Sequence, residues 1–408
     1  MKNFDFPLDR FLTELETVIN MDSGTSDLEG CRKVASFYKG RMKEAGLLTQ
    51  NLYFKDENAN PVIGAITPVC ARPRMNGKPY DFLLVGHMDT VFPAGTAAAR
   101  PFRQEYEDGR PVRAYGPGTV DMKAGALLMI YIAEYLTAHH PDLRIALLLN
   151  SDEETGSSGS LEKLLFWGGQ AEYTFVFEGG RKQDQFVSQR KGCNKYEIRV
   201  SGVAAHAGTA PWNGANAIVQ MGHLVTALDA LKNYSRGTSV NIGLISGGTA
   251  LNVVPDSCTA QMEVRYSDPK EMTRVKRAID KLSKRRPDVE GTRVEFELLR
   301  STPPLQEFAY TRKLMDKMRA YGPQYQADLQ ALVGSGLLPA DCPAYPVDFV
   351  AAGGLSDANR LAACHLPIID GCGPGGGNPH RPDEFLTIDT VVKRFVYFTG
   401  LLPWMKHM

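Results

Sequence analysis

Histidine and acidic side chains follow directly after three apolar segments of the sequence. They are His87 and Asp89 after residues 82–86, Glu153 and Glu154 after 145–149, and Glu178 after 173–177. Asp121 occupies a fourth place, the turn YGPGTVDMKAG, which precedes a helical segment. If the three apolar segments are parallel strands, their carboxyl ends meet at the crevice where such sheets bind their ligands. We therefore expect these side chains to converge on one site.

Carboxylates packed into one cleft repel each other, so several must take up protons or a cation must lie among them. No clustered Lys or Arg follows these segments in the sequence, whereas His87 and His380 can supply neutral nitrogen ligands. A divalent metal therefore explains the pattern best. Two histidines with three or four carboxylates exceed the needs of one four-coordinate ion and suit two ions about 3.5–4 Å apart. Nitrogen and oxygen donors without a thiolate favour Zn²⁺, with Mn²⁺ or Co²⁺ as alternatives.

The chain that carries these residues alternates between strand-like and helical segments. Helical spacing covers residues 8–20, 26–45 and 122–138, and strand-like runs cover 61–66, 82–86, 145–149 and 173–177. The pattern Ser26-x-x-Glu29 predicts a capping box at the start of the second helix. Strands that alternate with helices predict an α/β fold, with a mostly parallel sheet flanked by helices.

After Lys191 the pattern changes to alternating strands and amphipathic helices. Between residues 192 and 303 the order of segments is β-α-β-β-α-β, the split unit of ferredoxin-like domains. Helical segments near 308–321 and 325–333 and a glycine-rich loop ending at His380 come later. We therefore predict a discontinuous catalytic domain, 1–191 and 304–408, with an inserted second domain at 192–303.

The composition excludes several classes of partner. The 46 Lys and Arg residues balance 46 Asp and Glu residues, so no net charge attracts nucleic acid or an anionic membrane. The sequence has no run of 18 apolar residues, and acidic residues interrupt its N-terminal segment where a signal peptide is apolar. Seven scattered cysteines without a C-x-x-C pair are typical of reduced thiols. These features predict a cytoplasmic protein that acts on small molecules.

Seven motifs of the chain resemble, in order and spacing, one family of enzymes. They are GHMDTVFP, YGPGTVDMKAG, NSDEETGSSGS, GVAAHAG, NVVPDSC, GGLSDAN and GCGPGGGNPHRPDE. The family is that of the dinuclear zinc peptidases, which contains glutamate carboxypeptidase, acetylornithine deacetylase and succinyl-diaminopimelate desuccinylase. The chain is most similar to the glutamate carboxypeptidase branch.

The resemblance implies a role for each residue of the cluster. His87 and Glu178 would bind one metal, His380 and Glu154 would bind the other, and Asp121 would bridge two Zn²⁺ ions in each subunit. Other pairings of these ligands with the two metals stay open at this point. Asp89 would hold the His87 ring, as carboxylates do behind metal-bound imidazoles. Glu153 would be the general base that takes a proton from a metal-bridging water. The resemblance also implies a cis peptide between Asp121 and Met122.

The inserted domain resembles the family's dimerisation domain, which implies a homodimer through residues 192–303. His206 would reach the partner subunit's active site and stabilise the developing oxyanion. Asn252 and Arg265 would hold the carboxylate of the substrate, and the 353–359 loop with Gly354 and Ser356 would line the same pocket. Asn378-Pro379, Arg300 and Leu355 depart from the family's pattern, and they concern side-chain specificity rather than the metal site.

The expected activity is hydrolysis of an amide bond that releases a C-terminal amino acid, such as glutamate, from a small peptide or N-acyl conjugate. An alternative within the family is an N-acyl amino acid deacetylase or desuccinylase. A third hypothesis is a catalytically silent binding protein on the same scaffold, which the presence of Glu153 disfavours. A two-metal phosphatase is a weaker hypothesis, because nothing in the sequence resembles a basic phosphate clamp.

Overall fold

The computed structural model describes residues 6–53, 61–66, 79–333 and 337–407. The chain divides into two compact units. The first unit is Met1–Gln189, Glu307–Ala352 and Ser356–Met408, and the second is Arg190–Gln306 with Gly353–Leu355. Cys70 and the segment 67–78 lie outside the described residues.

The α-helices of the described residues are α1 Leu8–Ile19, α2 Leu28–Glu44, α3 Thr96–Ala99, α4 Ala124–His139, α5 Leu161–Gly169, α6 Ala217–Asp229, α7 Pro269–Lys284, α8 Ala309–Leu332, α9 Asp357–Leu361 and α10 Ile388–Lys406. The strands are β1 Leu48–Tyr53, β2 Pro61–Ile66, β3 Tyr80–His87, β4 Arg103–Glu107, β5 Arg110–Tyr115, β6 Ile145–Asn150, β7 Ala171–Val176, β8 Phe186–Arg190, β9 Gly192–Ser201, β10 Ser239–Gly247, β11 Ser257–Tyr266, β12 Arg293–Thr302, β13 Phe349–Ala352, β14 Ile368–Ile369, β15 Gly376–Gly377 and β16 Phe385–Thr387.

The main sheet of the first unit has the strand order β1-β2-β6-β3-β7-β14. β3 pairs in parallel with both β6 and β7, and β14 pairs in parallel with β7, whereas β1 and β2 form antiparallel pairs. Nearly all of β3 and every residue of β6 are buried. This two-sided burial is why both strands are continuous apolar runs rather than alternating ones. The α/β class and the mostly parallel sheet predicted from the sequence are confirmed.

Two local predictions in the first unit are wrong. α2 is capped by Asp27, whose side chain accepts a hydrogen bond from the backbone N–H of Gly30, and the predicted Ser26 and Glu29 capping box does not form. Asp caps a helix as well as Ser does, and the Glu29 side chain pairs with Lys33 instead. The segments 308–321 and 325–333 form the single helix α8, which continues through Pro323.

A small antiparallel sheet, β15-β16-β5-β4, links two parts of the first unit that are distant in sequence. In its register Phe385 of β16 lies opposite Tyr115 of β5. The segment between β15 and β16 carries His380, and the segment after β5 leads to Asp121. This sheet therefore brings two of the candidate metal ligands together.

The second unit is built on the antiparallel sheet β10-β11-β9-β12. Its core consists of alternate strand residues such as Ile198, Ala260 and Val264, packed with apolar residues of α6 and α7. This strand order with two helices is the split ferredoxin-like arrangement predicted from the sequence. Among the helices that the structure describes in either unit, none is long and apolar enough to cross a bilayer.

Candidate metal centre

The two histidines of the candidate site approach the same carboxylate. His87, at the carboxyl end of β3, is 1% exposed, and its Nε2 atom lies 3.1 Å from Oδ1 of Asp121. His380 Nε2 lies 3.1 Å from the other oxygen of Asp121, Oδ2. Each histidine also has a glutamate nearby. Glu178 Oε1 is 3.7 Å from His87 Nε2, and Glu154 Oε2 is 3.3 Å from His380 Nε2. The structure thus brings these five residues into one cluster with Asp121 at its centre.

The donor atoms suit divalent cations. Ligand atoms of His87, Asp121 and Glu154 lie within 4.8 Å of one another, and so do those of His87, Glu153 and Glu178. Within the described residues, Glu154 Oε1 is buried without a hydrogen-bond partner, which is costly unless a cation lies nearby. Mixed imidazole and carboxylate donors match the preference of zinc-like ions. By distance alone Glu153 could also act as a ligand.

The charges of the cluster are unbalanced without a cation. Burial opposes protonation of His87, but hydrogen bonds with Asp121 and Asp89, together with the charges of Glu178 and Asp89, raise the pKa of its imidazole well above the ordinary value. Hydrogen bonds with Asp121 and Glu154 raise the pKa of His380 to about 10. Burial raises the pKa of Glu153 well above its usual value, and the nearby charge of Glu178 adds to the rise. The raised pKa values of the two histidines and of Glu153 show how strongly the clustered carboxylates favour a positive charge among them.

Asp89 supports both sides of the cluster. Its carboxylate is fully buried and accepts hydrogen bonds from the backbone N–H groups of Glu153 and Glu154, both at 3.2 Å, and from Thr25 Oγ1 at 2.6 Å. Nδ1 of His87 lies 3.0 Å from the backbone oxygen of Asp89 and 3.3 Å from Oδ1. Asp89 therefore fixes the His87 ring and the turn that carries the two glutamates.

Three contributors were not predicted from the sequence. Glu384 accepts hydrogen bonds from the loop that carries Asp121, and Thr25 donates to Asp89. Asp357 accepts a hydrogen bond from Asn150 Nδ2 at 2.8 Å, at the end of β6. Glu384 and Asp357 occur within the family motifs, but nothing in their spacing indicates these partners. The peptide between Asp121 and Met122 is cis, as the resemblance implies.

The predicted oxyanion and substrate residues lie mostly in the second unit. His206 is exposed, and its Nδ1 atom accepts hydrogen bonds from the backbone N–H groups of Gly208 and Thr209, at 3.1 and 3.2 Å. The ring proton must therefore lie on Nε2, which makes that atom a donor. The backbone oxygen of Asn252 accepts a hydrogen bond from the backbone N–H of Ala207, so His206 and Asn252 lie on neighbouring segments.

Arg265 and the residues of the 353–359 loop form hydrogen bonds within their own units. Arg265 Nη1 donates to the backbone oxygen of Gly353 at 2.9 Å, and Gly354 beside it is exposed. Ser356 is 3% exposed and belongs to the first unit, where its hydroxyl caps α9 and donates to Asp370. The side chain of Ser356 is thus occupied by the fold, while its role in substrate binding stays a prediction.

Comparison with known proteins identifies relatives of both units. The family profile "Peptidase dimerisation domain" matches residues 188–289, and "Peptidase family M28" matches residues 69–174. Carboxypeptidase G2 of Pseudomonas sp. (strain RS-16) is 27% identical over 392 residues, which cover 95% of this chain and 87% of that relative.

Solved structures similar in fold cover nearly the whole chain. An M20 family metallo-carboxypeptidase from Sulfolobus solfataricus has a TM-score of 0.71 at 15% identity and covers 98% of this chain and 100% of its own. A dinuclear metal-binding peptidase of the M20 family from Bacillus subtilis has a TM-score of 0.64 at 14% identity and covers 99% of each chain.

Proposed function

Because this chain is a metallopeptidase of the dinuclear, glutamate carboxypeptidase type, we propose that it hydrolyses an amide bond to release a C-terminal amino acid from a small peptide or N-acyl conjugate. Glutamate is the residue we expect it to release. The observation that carries the proposal is the position of the Asp121 carboxylate. One of its oxygens faces His87 and the other faces His380, which also contacts the buried Glu154.

We propose that His87 and Glu178 hold one cation, that His380 and Glu154 hold a second, and that Asp121 contacts both. Zinc is the expected metal, with manganese or cobalt as alternatives. Two such cations would polarise the scissile carbonyl and activate a water molecule for attack. The distances within the cluster and the buried, unpartnered Oε1 atom of Glu154 support this assignment.

Glu153 is the proposed general base. Its carboxylate takes a proton from the attacking water and later gives it to the nitrogen of the leaving amine. Burial raises the pKa of Glu153, which makes its carboxylate a stronger proton acceptor than an exposed glutamate. The neighbouring Glu154 is occupied by His380, which leaves Glu153 as the more available proton acceptor.

We further propose a homodimer formed through the second unit. Large apolar side chains are exposed on β10, such as Leu244 and Ile245, and on α6, such as Ile218 and Val219. Exposed apolar patches of this kind mark protein interfaces. In the dimer His206 would donate from Nε2 to the oxyanion in the partner subunit's active site.

Substrate recognition follows from the remaining residues of the second unit. Arg265 and Asn252 would bind the carboxylate of the released amino acid, since a guanidinium can hold a carboxylate in a two-pronged contact. Gly354 and Ser356 would line that pocket. The proposed compartment is the cytoplasm, since scattered cysteines without a C-x-x-C pair are typical of reduced thiols.

The proposal is tested with zinc-loaded protein and a panel of dipeptides and N-acyl amino acids that differ in the C-terminal residue. We expect the highest kcat/KM for substrates ending in glutamate, and complete loss of turnover after chelation. Preferential turnover of N-acetyl amino acids of biosynthetic type would identify the deacylase alternative. Metal binding without any turnover across the panel would support the silent binding protein.

A further inference from the structure

Glu384 connects the two loops that carry Asp121 and His380. It lies four residues after His380, immediately before β16, and is 2% exposed. Its Oε2 atom accepts a hydrogen bond from the backbone N–H of Gly118 at 3.0 Å. Its Oε1 atom accepts from the backbone N–H groups of Val120 at 2.8 Å and Asp121 at 3.0 Å. One buried carboxylate thus binds three amides of the loop that ends at Asp121.

These contacts constrain Asp121 from its main chain, while the histidines contact its side chain. The loop can present its amides on one side because Gly118 adopts a left-handed conformation, with φ of 79°. A Cβ atom at Gly118 would also lie 2.6 Å from Thr90 Cγ2. The loop is therefore shaped so that its N–H groups, including that of Asp121, meet at Glu384.

The same residue is tied to the His380 segment. The backbone N–H of Glu384 donates to the oxygen of Arg381 at 3.2 Å, and that of Arg381 donates to the oxygen of Asn378 at 3.2 Å. This compact turn contains His380 and leads into β16, which pairs with β5. A shift of the Glu384 carboxylate would therefore change the spacing between His380 Nε2 and Asp121 Oδ2, which is now 3.1 Å.

We propose that Glu384 is a positioning residue, which sets the spacing of Asp121 and His380 and thereby the metal affinity of the site and the turnover number. The inference rests on the proposed function, since it concerns the same two-metal site. Residues that orient metal ligands in this way affect affinity or activity by about 10–100-fold when they are replaced.

The test is Glu384→Gln in the full chain. The amide has the same shape but only one accepting oxygen, so either Gly118 or the pair Val120 and Asp121 loses its acceptor. We expect the affinity for Zn²⁺, measured by competition with a chromophoric chelator, to fall about 10–100-fold. We expect kcat to fall by a similar factor with little change in KM, and the visible spectrum of the Co²⁺-loaded variant to change.

Asp81→Asn is the matched control. Asp81 is a buried carboxylate at the amino end of β3, held by Arg144 and Lys406, whereas His87 is at the carboxyl end of the same strand. We expect this control to lower the melting temperature but to leave zinc affinity and the cobalt spectrum unchanged. Should Glu384→Gln fail to fold, Glu384→Asp carries the same test, because it keeps the charge and shortens the reach by one methylene.

Wild-type zinc affinity and a wild-type cobalt spectrum in a folded Glu384 variant would overturn the inference, even if its melting temperature fell, since the residue would then serve stability alone. That outcome leaves the proposed function intact if the wild-type protein is an active metalloenzyme. A wild-type protein that bound no divalent cation would overturn both.

Discussion

Replacement of Glu153 by glutamine separates its two geometrically possible roles, general base and metal ligand. The glutamine keeps the shape of the side chain but cannot accept a proton from water at neutral pH. If Glu153 is the base, both cations should stay bound while kcat collapses. If it is a ligand together with His87 and Glu178, as distance alone allows, metal should be lost with activity.

The size of the expected loss in kcat follows from the lack of a substitute base among the described neighbours of Glu153. Asp121 and Glu154 lie against His380, Glu178 is 3.7 Å from His87, and the carboxylate of Asp89 accepts hydrogen bonds from two backbone amides. The full contribution of a general base should therefore be lost, about 10²–10⁴-fold in kcat. This corresponds to about 3–5 kcal/mol in the activation free energy, at about 1.4 kcal/mol per factor of ten.

The assay measures kcat on the best substrate of the panel together with the zinc content of dialysed protein by mass spectrometry. Glu154→Gln is the matched control, because the same chemical change one residue later should release zinc as well as activity. The reasoning about Glu153 is refuted if its glutamine variant loses zinc in proportion to activity, or if it keeps more than about a tenth of the wild-type kcat.

Four further outcomes are expected. Zinc binding at pH 7.5 should release protons from His87 and His380, because their pKa values lie above the usual range in the metal-free site. Calorimetry in buffers of different ionisation enthalpy detects the released protons. Binding heats that do not depend on the buffer would argue against proton release. The pKa of His380 is raised from 6.5 to about 10, so its stabilising contribution is complete below pH 6.5 and is lost as the pH rises towards 10. The melting temperature of chelator-treated protein should fall across this window, whereas that of zinc-loaded protein should change less, and equal slopes would contradict the argument. Asp89→Asn should lower the unfolding free energy of metal-free protein by about 1.5–3 kcal/mol, because it removes a charged acceptor from buried backbone amides. Denaturant unfolding measures this change, and a change below about 0.5 kcal/mol would exclude Asp89 as a stabilising acceptor. Leu244→Asp combined with Ile245→Asp should give monomers in light scattering with an unchanged zinc content, and a persisting dimer would place the interface elsewhere.

The sequence by itself was sufficient for the fold class and for the family resemblance. Continuous apolar runs such as 82–86 and 145–149 predict parallel strands, because strands buried on both faces have no polar side. The positions of His87, Glu154 and Glu178 after these runs predict that they converge, since parallel strands end at the same edge of a sheet. The alternating strands after Lys191 predict a separate ferredoxin-like unit in the same way. All these inferences use periodicity and order, which are properties of neighbouring residues.

Apart from Asp89, only the tertiary structure decided which groups hold the candidate ligands in place. Glu384 and Asp121 are 263 residues apart, and Asp357 and Asn150 are 207 residues apart, so no local pattern connects them. Ser26 and Asp27 are equally suited by propensity to cap α2. Asp27 is the cap because the chain enters the helix at that residue. Contacts of this kind result from the packing of complete sheets and helices, and a buried carboxylate finds its donors only after that packing has brought distant loops together.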